Sequence, residues 1–397
     1  MKKSKKIEYF LFIILLFFQN FALIKTESFG INGLVIYLFI ISIIHFKKFY
    51  GKINLKFLFF SVLIILIVIV GSFFNNIMYL TQILKIVMIL WLIYAVYIYI
   101  KTIYEEKNEE YFWNLYSKIA LGMFLYGIYE FIAIRNSLPL FLNIFNNNPS
   151  YYVRGVTDYF SGWNEGYRLY NVFFEPSAFS LFLVYNFFLV KENEYMKRSI
   201  KKVLYVLIIF NLIFTYARTG WVSMLYMIAI YLSYKFLLKR ARILDIIFFL
   251  LPIINIIIMH SIGLVLYQDS SSIARTYSAI YYLKESFSNI KVFLFGHGCG
   301  SIANASVNIE NIDTSAHNGY CDIIYQYGFP IFIYLLLKLK NKIKGIKKHR
   351  YLIVGVIGTL CCFANYYIVE TFISLAVIIF VYCDKENLKR EEENGEE

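Results

Sequence analysis

Apolar residues fill this chain in long blocks separated by short polar breaks. The blocks cover residues 7–24, 29–46, 57–74, 80–100, 113–134, 172–190, 203–216, 220–237, 243–266, 319–337, 351–369 and 371–382. Most are near the roughly 20 residues that an α-helix needs to cross a bilayer. The pattern therefore predicts an all-α polytopic membrane protein with about twelve transmembrane helices. The seventh and the last are short, and the last two also read as one re-entrant hairpin. Lys2, Lys3, Lys5 and Lys6 precede the first block, and no small-residue cleavage site follows it, which predicts a retained anchor.

Threading the blocks from a cytoplasmic N-terminus puts both termini inside and can be checked against the charges, because cytoplasmic loops carry the excess of lysine and arginine. The inner loops then hold Lys47, Lys48 and Lys52, then Lys191 to Lys202, then Lys235 to Arg242, then Lys338 to Arg350. The outer segments hold Arg135, Arg154, Arg168, Arg218 and Arg275 against only Lys25, Lys284 and Lys291. Lysine is a solvated point charge, whereas arginine presents a planar fork matched to phosphate and carboxylate. The outer face is thus expected to bind anions. Two outer loops are long, about 135–171 and 267–318. In the second, Ile273, Tyr277, Ile280, Tyr281, Phe287 and Ile290 recur at roughly helical spacing, which predicts an interfacial amphipathic helix with Arg275 near its start.

Composition narrows the class. With 59% hydrophobic and 20% aromatic residues, the chain lies beyond the roughly half apolar usage of soluble domains. No polar stretch is long enough for a soluble nucleotide-binding domain of about 100 residues, so 1–397 reads as one integral membrane domain with a charged tail at 384–397. The net charge of +13 reports topology, and no nucleic-acid partner is expected. Cys299, Cys321, Cys361, Cys362 and Cys383 show no metal-ligand spacing, and neither a metal nor another cofactor is expected.

Four short stretches carry candidate chemistry. In Tyr167 to Ser177, Pro176 and Glu175 suit the first turn of a helix, but that leaves Arg168 unexplained. A carboxylate there is held ionised and suits an electrostatic partner for arginine. In Tyr216-Ala217-Arg218-Thr219-Gly220-Trp221 a tight turn holds Arg218 at the membrane boundary, where a charge needs a partner. Phe295 to Ser301 is glycine-rich but does not end as a phosphate loop does, so its glycines read as a turn and His297 as its polar companion. In His317-Asn318, Asn318 suits a helix N-cap and His317 a group that titrates near neutrality. Lys85, Lys118 and Glu130 within apolar blocks, and Glu370 between two, are further candidates. No Asp-x-Asp pair occurs, which argues against a metal-bound nucleotide-sugar donor.

In this order the stretches resemble the O-antigen polymerase and O-antigen ligase superfamily, the Wzy-like and WaaL-like membrane glycosyltransferases. The match lies in Arg168 to Ser177, in Ala217-Arg218-Thr219-Gly220, in Ala274-Arg275 with Gly296-His297-Gly298, and in His317-Asn318-Gly319-Tyr320 through Gly328-Phe329-Pro330. It covers about the second half of the chain. His297 and Phe329-Pro330 depart from the usual pattern. The resemblance implies a glycosyltransferase class C-like fold in the bacterial cytoplasmic membrane, with the active site facing outward. The implied activity is a capsule, O-antigen or exopolysaccharide polymerase, or a ligase passing finished glycan to a lipid or wall acceptor. Arg218 and Arg275 are expected on the donor diphosphate, with Arg168 and Asn318 also binding substrate. His317 and Glu175 are expected as the catalytic pair. Expected partners are polyprenyl-diphosphate-linked oligosaccharides, membrane lipid, and flippase and chain-length regulator proteins. A transporter of lipid-linked sugar is disfavoured, because internal repeats and interrupted spans are not evident.

Overall fold

The computed structural model describes residues 3–18, 22–25, 30–51, 55–74, 80–136, 138–142, 168–169, 171–173, 176–237, 241–265, 270–298, 301, 318–346, 348–363 and 366–393. Among the described residues it is mostly helical, at 86%, with seventeen helices. In chain order the elements are α1 (Lys3–Phe17), β1 (Ala22–Lys25), β2 (Gly30–Asn32), α2 (Gly33–Ile44), α3 (Phe46–Tyr50), α4 (Leu55–Phe74), α5 (Leu80–Glu105), α6 (Glu109–Arg135), α7 (Pro176–Glu192), α8 (Arg198–Phe214), α9 (Arg218–Phe236), α10 (Ala241–Phe249), α11 (Leu251–Val265), α12 (Ser270–Ser286), α13 (Ile290–Phe295), α14 (Gly319–Tyr327), α15 (Phe329–Gly345), α16 (Arg350–Phe363) and α17 (Tyr366–Glu393). Among the described residues, the stretches Ile86–Glu105 and Glu109–Arg135 are long and apolar enough to cross a membrane.

Several expected blocks keep their bounds and others do not. The block at 57–74 becomes α4, 80–100 becomes α5 and 113–134 becomes α6, each extended by a few residues. The first block instead ends its helix at Phe17, and Ala22–Lys25 pairs antiparallel with Gly30–Asn32. The second block turns helical only at Gly33, because the Asn32 side chain caps the helix by accepting from the Val35 N–H at 2.9 Å. The block at 243–266 is split at Leu250 into α10 and α11, and the one at 319–337 at Gly328 into α14 and α15. The last block lies inside α17, which continues through the charged tail as far as Glu393.

The chain forms two compact units, one of Met1–His45 with Val96–Ile228 and one of Phe46–Ala95 with Ala229–Glu397. In the first unit α7 is the central helix, buried along nearly its whole length. Its Phe182 meets Phe17 of α1 at 5.2 Å and Phe173 at 4.9 Å between ring centres. Several buried polar groups inside are paired with one another: the Tyr116 hydroxyl donates to Asn186 Oδ1 at 2.6 Å, and Trp113 Nε1 donates to the Tyr104 hydroxyl at 3.0 Å. Asn211 of α8 reaches across to donate to the Phe124 carbonyl of α6 at 3.0 Å.

In the second unit α14 is the hub. Tyr325 and Cys321 pack with Ala279 and Tyr282 of α12, while Tyr320 and Ile324 pack with Phe332 of α15. Asp245 of α10, almost fully buried, accepts from Arg350 Nε at 3.1 Å and is bonded also by the Tyr234 hydroxyl. The pair ties the lysine-rich segment before α16 to α10.

Gly328 decides how α14 joins α15. It adopts φ 84°, and a Cβ there would lie 2.5 Å from the Leu294 carbonyl oxygen, so an alanine meets both a backbone clash and left-handed strain. Gly328→Ala is expected to cost about 2 kcal/mol or more. Thermal unfolding in detergent should show a lowered midpoint. Gly122→Ala, at a helical position where a Cβ meets nothing within 4 Å, should leave the midpoint unchanged or raise it.

Candidate functional site

Two of the four stretches come together in the first unit. Arg168 donates through Nε to the Thr215 carbonyl at 3.0 Å and through Nη2 to the Tyr216 carbonyl at 3.4 Å. The Leu169 N–H adds a bond to the Phe214 carbonyl at 2.9 Å. These carbonyls lie where α8 ends and the next helix has not begun, so they lack intrahelical donors. A planar guanidinium can serve both at once. The arginine expected at the substrate thus fastens its own segment to the turn that carries Arg218.

A second anchor lies three residues on. Asn171 sits in the left-handed region at φ 53°, a conformation asparagine tolerates better than most residues. Its N–H donates to Glu130 Oε2 at 2.8 Å and its side-chain amide to the Met123 carbonyl at 2.7 Å. Glu130 was readable only as a charged residue near the outer end of its helix. It is in fact 1% exposed and positions the approach to α7.

The Ala217 to Gly220 turn is tight for two reasons. Tyr216 is left-handed at φ 47°, and a Cβ on Gly220 would lie 2.5 Å from Ser180 Cβ of α7, so only glycine lets α9 start so close to α7. Ala217, Thr219 and Gly220 are buried while the Arg218 side chain is exposed. Arg218 is also the first residue of α9, where the helix dipole adds its partial positive charge to the guanidinium. An anion is the chemistry this end attracts.

The other two stretches meet in the second unit. The His297 N–H donates to the Tyr325 carbonyl at 2.7 Å and the Gly298 N–H to the Gln326 carbonyl at 3.1 Å. The imidazole of His297 stacks on the Tyr325 ring at 4.3 Å. The glycine-rich turn therefore closes the C-terminal end of α14. At the opposite end Asn318 is buried and caps the helix, accepting from the N–H groups of Tyr320 at 3.1 Å and Cys321 at 3.3 Å. Its amide donates to the Pro252 carbonyl at 2.8 Å. The structure thus gives Asn318 the cap role and fixes the start of α14 against the middle of the block at 243–266, not against its outer end.

The remaining candidates are placed less fully. Glu175 and His317 lie outside the described residues, as do Trp163, Arg154 and Cys299. Arg275 falls within α12 by its backbone, and its side chain, with those of Lys85 and Glu370, is outside what is described. Among the described residues no three His, Cys, Asp or Glu side chains gather as a metal site. Asp245 and Arg350 were missed in the sequence. A lone aspartate inside an apolar block is the signal that pointed to such a pair.

Burial on the Tyr325 ring pushes the His297 imidazole below its usual 6.5, against the opposing pull of Glu285. A histidine kept neutral in the fold adds stability that is complete above about pH 6.5 and is lost as pH falls from there through the lower folded value. The thermal midpoint should therefore fall below pH 6.5. His297→Phe, which keeps the stack but cannot titrate, should flatten that slope. In addition, Arg168→Lys keeps the charge but loses the fork, and should cost about 1–2 kcal/mol in the same measurement.

No protein-family model, no curated protein and no solved structure matches the chain.

Proposed function

We propose that the chain is a polysaccharide polymerase of the bacterial cytoplasmic membrane: a metal-independent inverting glycosyltransferase that moves a growing glycan from polyprenyl diphosphate to a lipid-linked repeat unit. The observation that carries this reading is the Arg168 clamp. It joins two arginine-bearing stretches, 47 and 48 residues apart at their bonds, and leaves Arg218 exposed at the first turn of a helix. A second observation supports the sidedness. In the first unit Lys5 pairs with Glu106 beside the start of α6, while Glu130 holds the Arg168 segment near its other end. Glu109 and Glu130 are about 32 Å apart along the helix, close to the ~30 Å of a hydrocarbon core. About twelve spans, cytoplasmic termini and an outward-facing site belong to the same proposal.

The chemistry requires little beyond these groups. The acceptor hydroxyl oxygen attacks the anomeric carbon of the donor sugar and inverts it, the carbon–oxygen bond to the diphosphate breaks, and the leaving group keeps the electron pair. Arg218 and Arg275 meet the growing negative charge, a service that fixed cations perform well away from bulk water. His317 takes the acceptor proton or orients the hydroxyl. Glu175 balances the arginine charge of the donor site, and Arg168 acts by holding the turn. Asn318, next to His317, acts by capping α14 and so fixing the chain on that side of the histidine.

A deletion strain complemented with variants tests this. Wild type should restore long polymer, while Arg218→Ala and His317→Ala should each leave single repeat units on the acceptor, a loss of at least about a hundredfold in chain extension. Full-length polymer stranded on the polyprenyl carrier would instead assign the ligase activity. Normal polymer from the double variant would sink the residue roles.

A further inference from the structure

Helices α12 and α14 run side by side with their C-terminal ends together. The Tyr282 and Tyr325 rings meet at 4.7 Å, in a buried cluster that also holds Ala279 and Cys321, about one turn earlier on each helix. Arg275 lies seven residues before Tyr282, and Asn318 lies seven before Tyr325. At 1.5 Å per residue both stand about 10 Å back from the ring contact, which brings the Arg275 backbone level with the Asn318 cap. Apolar burial is non-directional, so the small Ala279 and Cys321 side chains set the spacing of the two helices better than their register.

A directional tie sits at the C-terminal ends. The His297 imidazole donates to the Glu285 carbonyl in the last turn of α12 and stacks on Tyr325 of α14, with 30° between the planes. Its own N–H and that of Gly298 bond the Tyr325 and Gln326 carbonyls. The two backbones come this close because position 296 is a glycine: a Cβ there would lie 2.4 Å from the Gln326 carbonyl. One residue thus touches the last turns of both helices, through bonds of restricted length and direction.

We propose that His297 is a positioning residue: by tying the end of α12 to the end of α14 it sets the register that holds Arg275 level with Asn318. The inference rests on the proposed glycan transfer, in which Arg275 meets the donor diphosphate. Glu285 and Arg275 lie on one uninterrupted helix, so a slip at the first is carried to the second. A displacement of about 1 Å at a group that meets developing charge slows a reaction strongly. His297 itself has no contact with substrate in this reading.

The test compares His297→Phe, which keeps a ring on Tyr325 and loses the N–H, with His297→Asn, whose amide replaces the imidazole donor. Amide hydrogen exchange over residues 282–288 of the full-length protein in detergent reads the tie itself. Turnover of lipid-linked repeat units reads its consequence, both with Arg275 present and on an Arg275→Ala background. His297→Phe should speed exchange in that segment about tenfold and lower kcat/KM about tenfold, and His297→Asn should restore both to within about twofold. On the Arg275→Ala background, His297→Phe should change kcat/KM by less than about twofold, because the group it positions is gone. Unchanged exchange and turnover in His297→Phe, or no rescue by His297→Asn, would overturn the inference. The same tenfold loss with Arg275 absent would overturn it too, leaving the histidine a support for the fold alone. Wild-type protein that extends no glycan would sink the proposed function instead, and the exchange result would then decide the tie by itself.

Discussion

Wherever an apolar helix of this chain stops away from water, it leaves backbone carbonyls that only the protein can satisfy. The chain meets that constraint with side chains brought from far along the sequence. Arg168 serves Thr215 and Tyr216 and Asn255 serves Cys362, while Asn318 caps the start of α14 and ties it to α11 through the Pro252 carbonyl. Asn211 does the same between helices by bonding the Phe124 carbonyl. Each bond fixes where a helix begins, ends or leans, and so fixes which side chains are exposed beside it.

That constraint explains why conspicuous polar residues divide into two kinds. Arg168, Asn318 and Glu130 are bonded to backbone and so act by holding the chain in position. Arg218 follows a fixed turn and is itself exposed at a helix start. A half-buried arginine thus holds a turn, and the turn presents an exposed one. In the second unit the glycine turn at 296–298 and the Asn318 cap hold the two ends of α14 in the same manner.

The sequence was most legible where one helix crosses one apolar block without interruption. Residues 57–74 and 113–134 gave α4 and α6 almost as read, because hydropathy averages well over a uniform run. It was least legible at interruptions. Leu250 and Gly328 lie inside apolar blocks, so averaging hides the breaks, and the strain that places a break at Gly328 comes from the Leu294 carbonyl. The β1–β2 pair escaped notice for a similar reason, since Ala22–Lys25 reads as the tail of a helix. Within the site, the Asn318 cap and the Ala217 to Gly220 turn follow from local residue chemistry and were readable. The Arg168 clamp, the Glu130 anchor and the Asp245–Arg350 pair depend on partners 41 to 105 residues away, and a single sequence carries no record of such pairings.

The central claim is glycan transfer from a diphosphate carrier without metal. Its most direct measurement is purified protein incubated with lipid-linked repeat units in the presence of a metal chelator, with products resolved by size and the new linkage read by NMR. The account expects a ladder of lipid-linked polymers whose new bonds have the inverted anomeric configuration. Substrate left as single units, or moved across a vesicle membrane without extension, would contradict it.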